Sequence, residues 1–270
     1  PQAERDALIA LYNSTNGDAW TDNSGWKTAP LAGDGFAMPG TEGSWYGITV
    51  VNDQVTNIQL FENNLVGTLP PELGNLANLT NLSLSSNQLN GTIPVELGNL
   101  SNLSNLSLSS NQLTGTIPVG LGNLTNLTGL SLSDNQLEGT IPTELGSLTR
   151  LRMLWLSDNQ LEGSIPPELG NLMFLFMLTL DSNQLTGEIP DTLLSLNFLI
   201  DNQSNIAWNA LYTDNPTLKT FLDSKQVDGD WESTQTIAPK DVSAVATDAS
   251  TIRVSWTPIA YTGDTGGYRV

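Results

Sequence analysis

Leu79-Thr80-Asn81-Leu82-Ser83-Leu84-Ser85-Ser86-Asn87-Gln88-Leu89-Asn90-Gly91-Thr92-Ile93-Pro94 recurs almost unchanged along the middle of the chain, and its reading decides the fold. Its Asn returns at Asn63, Asn87, Asn111, Asn135, Asn159 and Asn183, and its Gly at Gly67, Gly91, Gly115, Gly139, Gly163 and Gly187. Its Pro returns at Pro70, Pro94, Pro118, Pro142, Pro166 and Pro190, and every interval is 24 residues. Within one copy, Leu79, Leu82 and Leu84 alternate around Ser83 as in a short strand, with leucines facing a core and polar residues facing out. One copy cannot bury its own leucines. Stacked copies pair their strands in parallel, about 4.8 Å apart, and share one continuous core.

The recurring Asn falls where the chain leaves the strand, and its amide can satisfy backbone groups of its own and the adjoining coil. A buried backbone group left unpaired costs about 1–3 kcal/mol. Gly-Thr-Ile-Pro reads as a second extended segment, because Pro restrains the residue before it. The Pro-x-x-Leu-Gly-Asn-Leu stretch that follows reads as a short helical turn stopped by its Gly. A degenerate seventh copy, with Ile206, Asn209 and Leu211, regains the register after a two-residue slip beyond Leu199.

This 24-residue period, written LxxLxLxxNxLxGxIP, resembles the leucine-rich repeat family, in particular the subtype of plant receptor ectodomains. The resemblance implies an α/β solenoid: a right-handed horseshoe with a parallel concave β-sheet, a short 3-10 or helical convex side, and a cap at each end. It also implies that partners bind on the concave face.

Glu4 to Tyr12 reads as an amphipathic helix with Leu8, Leu11 and Tyr12 on one side, and Asn13 to Gly17 ends it. Trp20, Trp26, Trp45 and Tyr46 crowd into a Gly-rich region suited to plugging the first coil. This region resembles the N-terminal cap of bacterial and algal leucine-rich repeat proteins. Ser44 and Val50 stand near the places of the paired cysteines of plant relatives, which favours a bacterial origin. Ile48 to Val51 and Val55 to Leu60, around Asn52-Asp53-Gln54, read as a hairpin that feeds the first repeat strand. Beyond the repeats, Leu211 to Trp231 reads as a capping helix that covers the last coil with Leu218, Phe221, Leu222 and Trp231.

From Ile237 the composition changes. Val242 and Val245, Thr251 to Trp256 and Tyr268 to Val270 resemble the first strands of a fibronectin type III domain, of which about a third of the usual ~100 residues is present. The chain is therefore expected to continue into a larger multidomain protein. The expected division is a cap over 1–56, repeats over 57–211, a C-terminal cap and linker over 212–236, and a partial sandwich over 237–270. Unpaired apolar strands in that last segment invite self-association.

With 28 Asp plus Glu against 9 Lys plus Arg, the net charge is −19. That argues against nucleic acid or an anionic membrane as partner. The chain has no His and no Cys, so the usual Ser–His, Cys–His and His–metal arrangements cannot be built, and no cofactor is called for. No apolar run approaches the ~20 residues of a membrane span. The composition fits a secreted or cell-surface solenoid, and the chain opens at Pro1 without an export signal.

The residues at repeat positions 3, 5, 7 and 8 face outward from the strand. They are Asn57, Gln59, Phe61 and Glu62 in the first copy and Ser and Asn in the next two, then Gly129, Ser131, Ser133 and Asp134. The next copy brings Met153, Trp155, Ser157 and Asp158, and the one after brings Met177, Thr179, Asp181 and Ser182. The slipped copy gives about Gln203, Asn205, Ala207 and Trp208. The candidate ligand-binding residues are therefore Asp134, Met153, Trp155, Asp158, Met177, Thr179, Asp181 and Trp208. They suit a protein or peptide with a basic residue beside an apolar one. Asp134, Asp158 and Asp181 also read as a calcium site or, more plainly, as a solvated acidic rim. A second class of function is recognition of a repeating surface, a polysaccharide or ice, by the Ser ladder and by the column Thr68, Thr92, Thr116, Thr140 and Ser164, which Glu188 breaks.

Overall fold

The computed structural model describes residues 2–227, 231–235, 240–246 and 252–257, with side chains as far as residue 235. The 24-residue period becomes a stack of coils. The concave sheet runs Ile48–Val51, Gln54–Gln59, Asn81–Ser83, Asn105–Ser107, Gly129–Ser131, Met153–Trp155 and Met177–Thr179 in neighbouring order. Beyond the opening antiparallel hairpin every pairing is parallel, as in Asn81↔Asn105, Leu82↔Leu106 and Ser83↔Ser107. The central residues Leu82, Leu106, Leu130 and Leu154 are fully buried. At about 1.5–3 kcal/mol for each buried leucine, this shared core is what makes stacking favourable.

A second parallel sheet forms from Val66–Thr68, Gln88–Thr92, Gln112–Thr116, Gln136–Thr140, Gln160–Gly163, Gln184–Glu188 and Ala210–Tyr212. Six 3-10 turns follow its strands, from Pro71–Asn75 to Asp191–Ser195. Contrary to the expectation from the sequence, the glycine in these turns does not stop them. Each of the first five turns runs through its Gly and closes on the following Leu, as where the Leu100 N–H donates to the Leu97 carbonyl. The glycine is needed for closeness instead. A Cβ on Gly74, Gly98, Gly122, Gly146 or Gly170 would lie 2.5–2.6 Å from a backbone oxygen of the next coil. In the last turn, Asp191–Ser195, the same place holds Leu194, which packs on the core where no further 3-10 turn of the stack follows.

The Asn ladder ties the coils together. Asn135 donates its amide to the carbonyls of Leu108, Leu132 and Ser133 at 3.1, 3.1 and 3.2 Å, and its Oδ1 accepts the Leu113 N–H at 3.0 Å. The slipped copy repeats this: Asn209 donates to the carbonyls of Leu180, Ile206 and Ala207 and accepts from the Leu185 N–H. The preceding residue is left-handed in each coil, with φ between 51° and 57° at Glu62, Ser86, Ser110, Asp134, Asp158, Ser182 and Trp208.

At the N-terminal end, helix α1 (Gln2–Ser14) buries Leu8, Leu11 and Tyr12. The Tyr12 ring lies 5.0–5.3 Å from those of Trp20, Trp26 and Phe36, and Trp26 lies 4.7 Å from Trp45. Tyr46 is outside this plug: it is exposed, and its carbonyl accepts the Trp26 indole N–H. Buried Arg5 pairs with Asp34 at 2.9 Å and Glu42 at 2.6 Å. At the other end, helix α2 (Pro216–Lys225) is capped by the Asn215 side chain and buries Leu218 and Leu222, and Trp231 is buried close by in sequence. Lys240–Ala246 and Ile252–Thr257 pair antiparallel. The expected strand at Tyr268 to Val270 lies outside the described residues.

Candidate ligand-binding surface

Strand geometry places Met153 beside Gly129 on one side and Met177 on the other, and Trp155 between Ser131 and Thr179. Met153, Trp155, Met177 and Thr179 therefore form one contiguous, half-buried block. The block leans on the preceding coil. The Met153 methyl is 3.5 Å from where a Cβ on Gly129 would be, and Ser131 is only 5% exposed although its equivalents Ser83 and Ser107 are half-buried. Trp155 thus has some packing role against its neighbour and is not fully exposed. Among the described residues no acceptor takes its indole N–H, which leaves that donor available to a ligand.

The serines of the early coils are partly occupied with each other. Ser85 Oγ lies 2.6 Å from Ser107 Oγ, Ser109 Oγ 2.9 Å from Ser131 Oγ, and Ser157 Oγ donates to Ser133 Oγ at 3.0 Å. Asp181 continues the column of Ser109, Ser133 and Ser157. Burial pushes its carboxyl up to about 6; its own backbone N–H offsets part of this, and the charge on Asp158 adds to the rise. Asp134 and Asp158 are exposed. Among the described residues no three Asp, Glu, His or Cys groups come together that could hold a metal ion.

Trp208 stands apart. It belongs to the left-handed column that continues Asp134, Asp158 and Ser182, two coils beyond Trp155, and is 60% exposed. The Cβ of a bulky residue strains that backbone region, which the other coils fill with Ser, Asp or Glu. The block of Met153, Trp155, Met177 and Thr179 lies within the concave strands, whereas the exposed Trp208 lies at the turn after them, two coils further on.

A third feature escaped the sequence reading. Met173, Phe174, Phe198 and Ile200 are each about half exposed or more, and the rings of Phe174 and Phe198 stand 6.0 Å apart. Met173 and Phe174 lie just before the strand Met177–Thr179, and Phe198 and Ile200 before the bridge of Asn205 to Thr179, outside repeat positions 3, 5, 7 and 8. The signal was present in the column Asn78, Asn102, Asn126, Arg150, Phe174 and Phe198, where amides give way to an arginine and then to rings.

Residues 60–163 match the model of a leucine-rich repeat region. A chain of the BIR3–SERK2 complex from Arabidopsis thaliana is 32% identical, with 67% of this chain and 94% of that one aligned at a TM-score of 0.55. This chain belongs to the leucine-rich repeat family. The crystal structure of a plant ice-binding protein aligns at a TM-score of 0.63 and 29% identity, over 78% of this chain and 64% of that one. The Arabidopsis receptor kinase HAESA, in complex with the peptide hormone IDA and the co-receptor SERK1, aligns at 0.59 and 36% identity, over 67% of this chain and 30% of that one. The chain thus spans under two thirds of the ice-binding protein and under a third of the HAESA structure's chain. No curated protein matches it by sequence. Among the described residues no helix is long and apolar enough to cross a membrane.

Proposed function

We propose that this chain is a non-catalytic binding module, secreted or carried at a cell surface, that takes a protein or peptide on the C-terminal half of its concave face. The observation that carries this reading is the contiguous block of Met153, Trp155, Met177 and Thr179, with Asp181 and Asp158 at its edge. Trp is the residue type most enriched at binding hot spots, and Met gives an adaptable contact. The carboxylates call for a basic residue beside the apolar group of the ligand, and for association that weakens with salt. Structures of a peptide hormone and of protein partners bound to family members support the same class of ligand. Peptides selected from a random library on the intact chain test it. Trp155→Ser should weaken them about thirtyfold, the equivalent of ~2 kcal/mol, while Ser107→Ala leaves them unchanged. Equal affinity for both variants, with the fold intact, moves the site elsewhere.

A second reading is favoured by one observation. Thr68, Thr92, Thr116, Thr140 and Ser164 are all exposed along the second sheet, and a solved relative is an ice-binding protein. An ice-recrystallisation assay beside a glycan array decides it, and flat responses in both remove it. The pair Lys240–Ala246 and Ile252–Thr257 we read as the start of a fibronectin type III unit and as a route to self-association, which sedimentation at rising concentration would reveal.

A further inference from the structure

The residues just before each concave strand form rows held in register by the backbone, since the Arg152 N–H donates to the Thr128 carbonyl, that of Phe176 to Arg152, and that of Ile200 to Phe176. In the early coils these rows are mostly polar and bonded to the coil before. Asn102 and Asn126 donate to the Ala77 and Ser101 carbonyls of the coil before, and the hydroxyls of Thr80, Ser104 and Thr128 do likewise with Thr56, Thr80 and Ser104. From the sixth coil the rows become apolar, with Met173, Phe174, Phe198 and Ile200 exposed at 57%, 55%, 62% and 47%. A monomer gains nothing by exposing four such side chains in one place, and exposed apolar clusters of this kind mark interaction sites.

Charge says what covers them. Six cations have described side chains, and Arg5, Lys27, Lys219 and Lys225 each pair with a carboxylate. Among the described residues no carboxylate pairs with Arg150 or Arg152. They are exposed in the coil adjoining the ring cluster, and Arg150 spends one N–H on the Asn126 amide oxygen at 2.7 Å. In a chain of net charge −19, two arginines that no described carboxylate pairs make a positive spot in the coil beside the apolar patch. Arginine offers a planar fork that takes a carboxylate in a bidentate fashion, and it is enriched with aromatics at hot spots.

We infer that this lateral edge is a second docking surface, for a partner protein segment in which Asp or Glu adjoins an aromatic or large aliphatic residue. It is separate from the concave block and opposite in charge preference, so the two surfaces are distinguishable by the peptides they take. A fluorescent twelve-residue peptide of repeated Asp-Phe-Glu-Leu, titrated with the full chain at low salt, tests it. A peptide with Lys in place of both acids is the control. The acidic peptide should bind, the control should not, and the double variant Arg150→Glu/Arg152→Glu and the single variant Phe174→Ser should each weaken binding at least tenfold. Trp155→Ser should leave this peptide unaffected, whatever it does to concave-face ligands. The inference is overturned by equal binding of the two peptides, by no binding at millimolar peptide, or by full affinity in the double variant. It is also overturned if light scattering finds a dimer that Phe174→Ser dissociates, because a second copy would then fill the patch.

Discussion

Asp181 carries the acidic side of the concave face on its own terms. An unfolded Asp titrates near 4, whereas burial and the Asp158 charge raise it to about 6 in the fold. Between these values the folded chain holds a proton that the unfolded chain has lost, so this residue makes stability fall as pH rises from about 4 to 6, with no further change above. Asp181→Asn removes that loss. The variant should match the parent near pH 4, gain on it through pH 6 and keep a constant lead at pH 7, as read from urea midpoints across the range. A gap that closes instead of opening as pH rises contradicts the assignment. Much at this scale was legible. The Asn ladder follows from periodicity alone, because one amide must serve groups on its own and the adjoining coil. Arg5 was not legible, since Asp34 and Glu42 lie 29 and 37 residues away in irregular chain with no repeat to align them.

The stacking of 3-10 turns explains why one residue type recurs for two reasons. Gly91 and its equivalents hold left-handed backbone, with φ of 71° at Gly91. Gly146 does not; a side chain there would meet both the backbone oxygen and Cβ of Glu168 at 2.5 Å. Sequence reading took this second glycine for a stop signal because Gly usually ends helices, and only the neighbouring coil reveals the contact. Gly146→Ala should therefore destabilise the protein by about 1–3 kcal/mol through overpacking, despite the better helical propensity of Ala. Thermal melts would measure this, and a raised midpoint would show the stop-signal reading to be right. The ring cluster at Phe174 and Phe198 was overlooked for a related reason. Scoring only the residues within the strands leaves out the approach to them, where side chains are equally well ordered by the stack.

At the level of the whole chain, two unlike ends close one core. Five rings and the Arg5 ion pairs seal the first coil, and α2 seals the last. Since the chain has no Cys and no His, these aromatic and helical caps stand in for disulfides or metals. The melting temperature should be unmoved by EDTA or by a reducing agent, and a shift of several degrees with EDTA would point to a structural ion. The class of fold was open to the sequence because six near-identical copies leave one way to bury their leucines. The ligand was not, because a solenoid presents several ordered faces and the sequence does not rank them. We propose that the ligand is gripped at the C-terminal half of the concave face. Peptides selected on the intact chain, resynthesised with a benzophenone side chain and photolysed on the protein, test that claim most directly. Mass spectrometry should then place the crosslinks on the concave strands Met153–Trp155 and Met177–Thr179, with Met153 and Met177 prominent, and not on Met173 or Phe174. Crosslinks confined to the serine-rich coils before Ser131, or to the threonine column of the second sheet, would contradict the account.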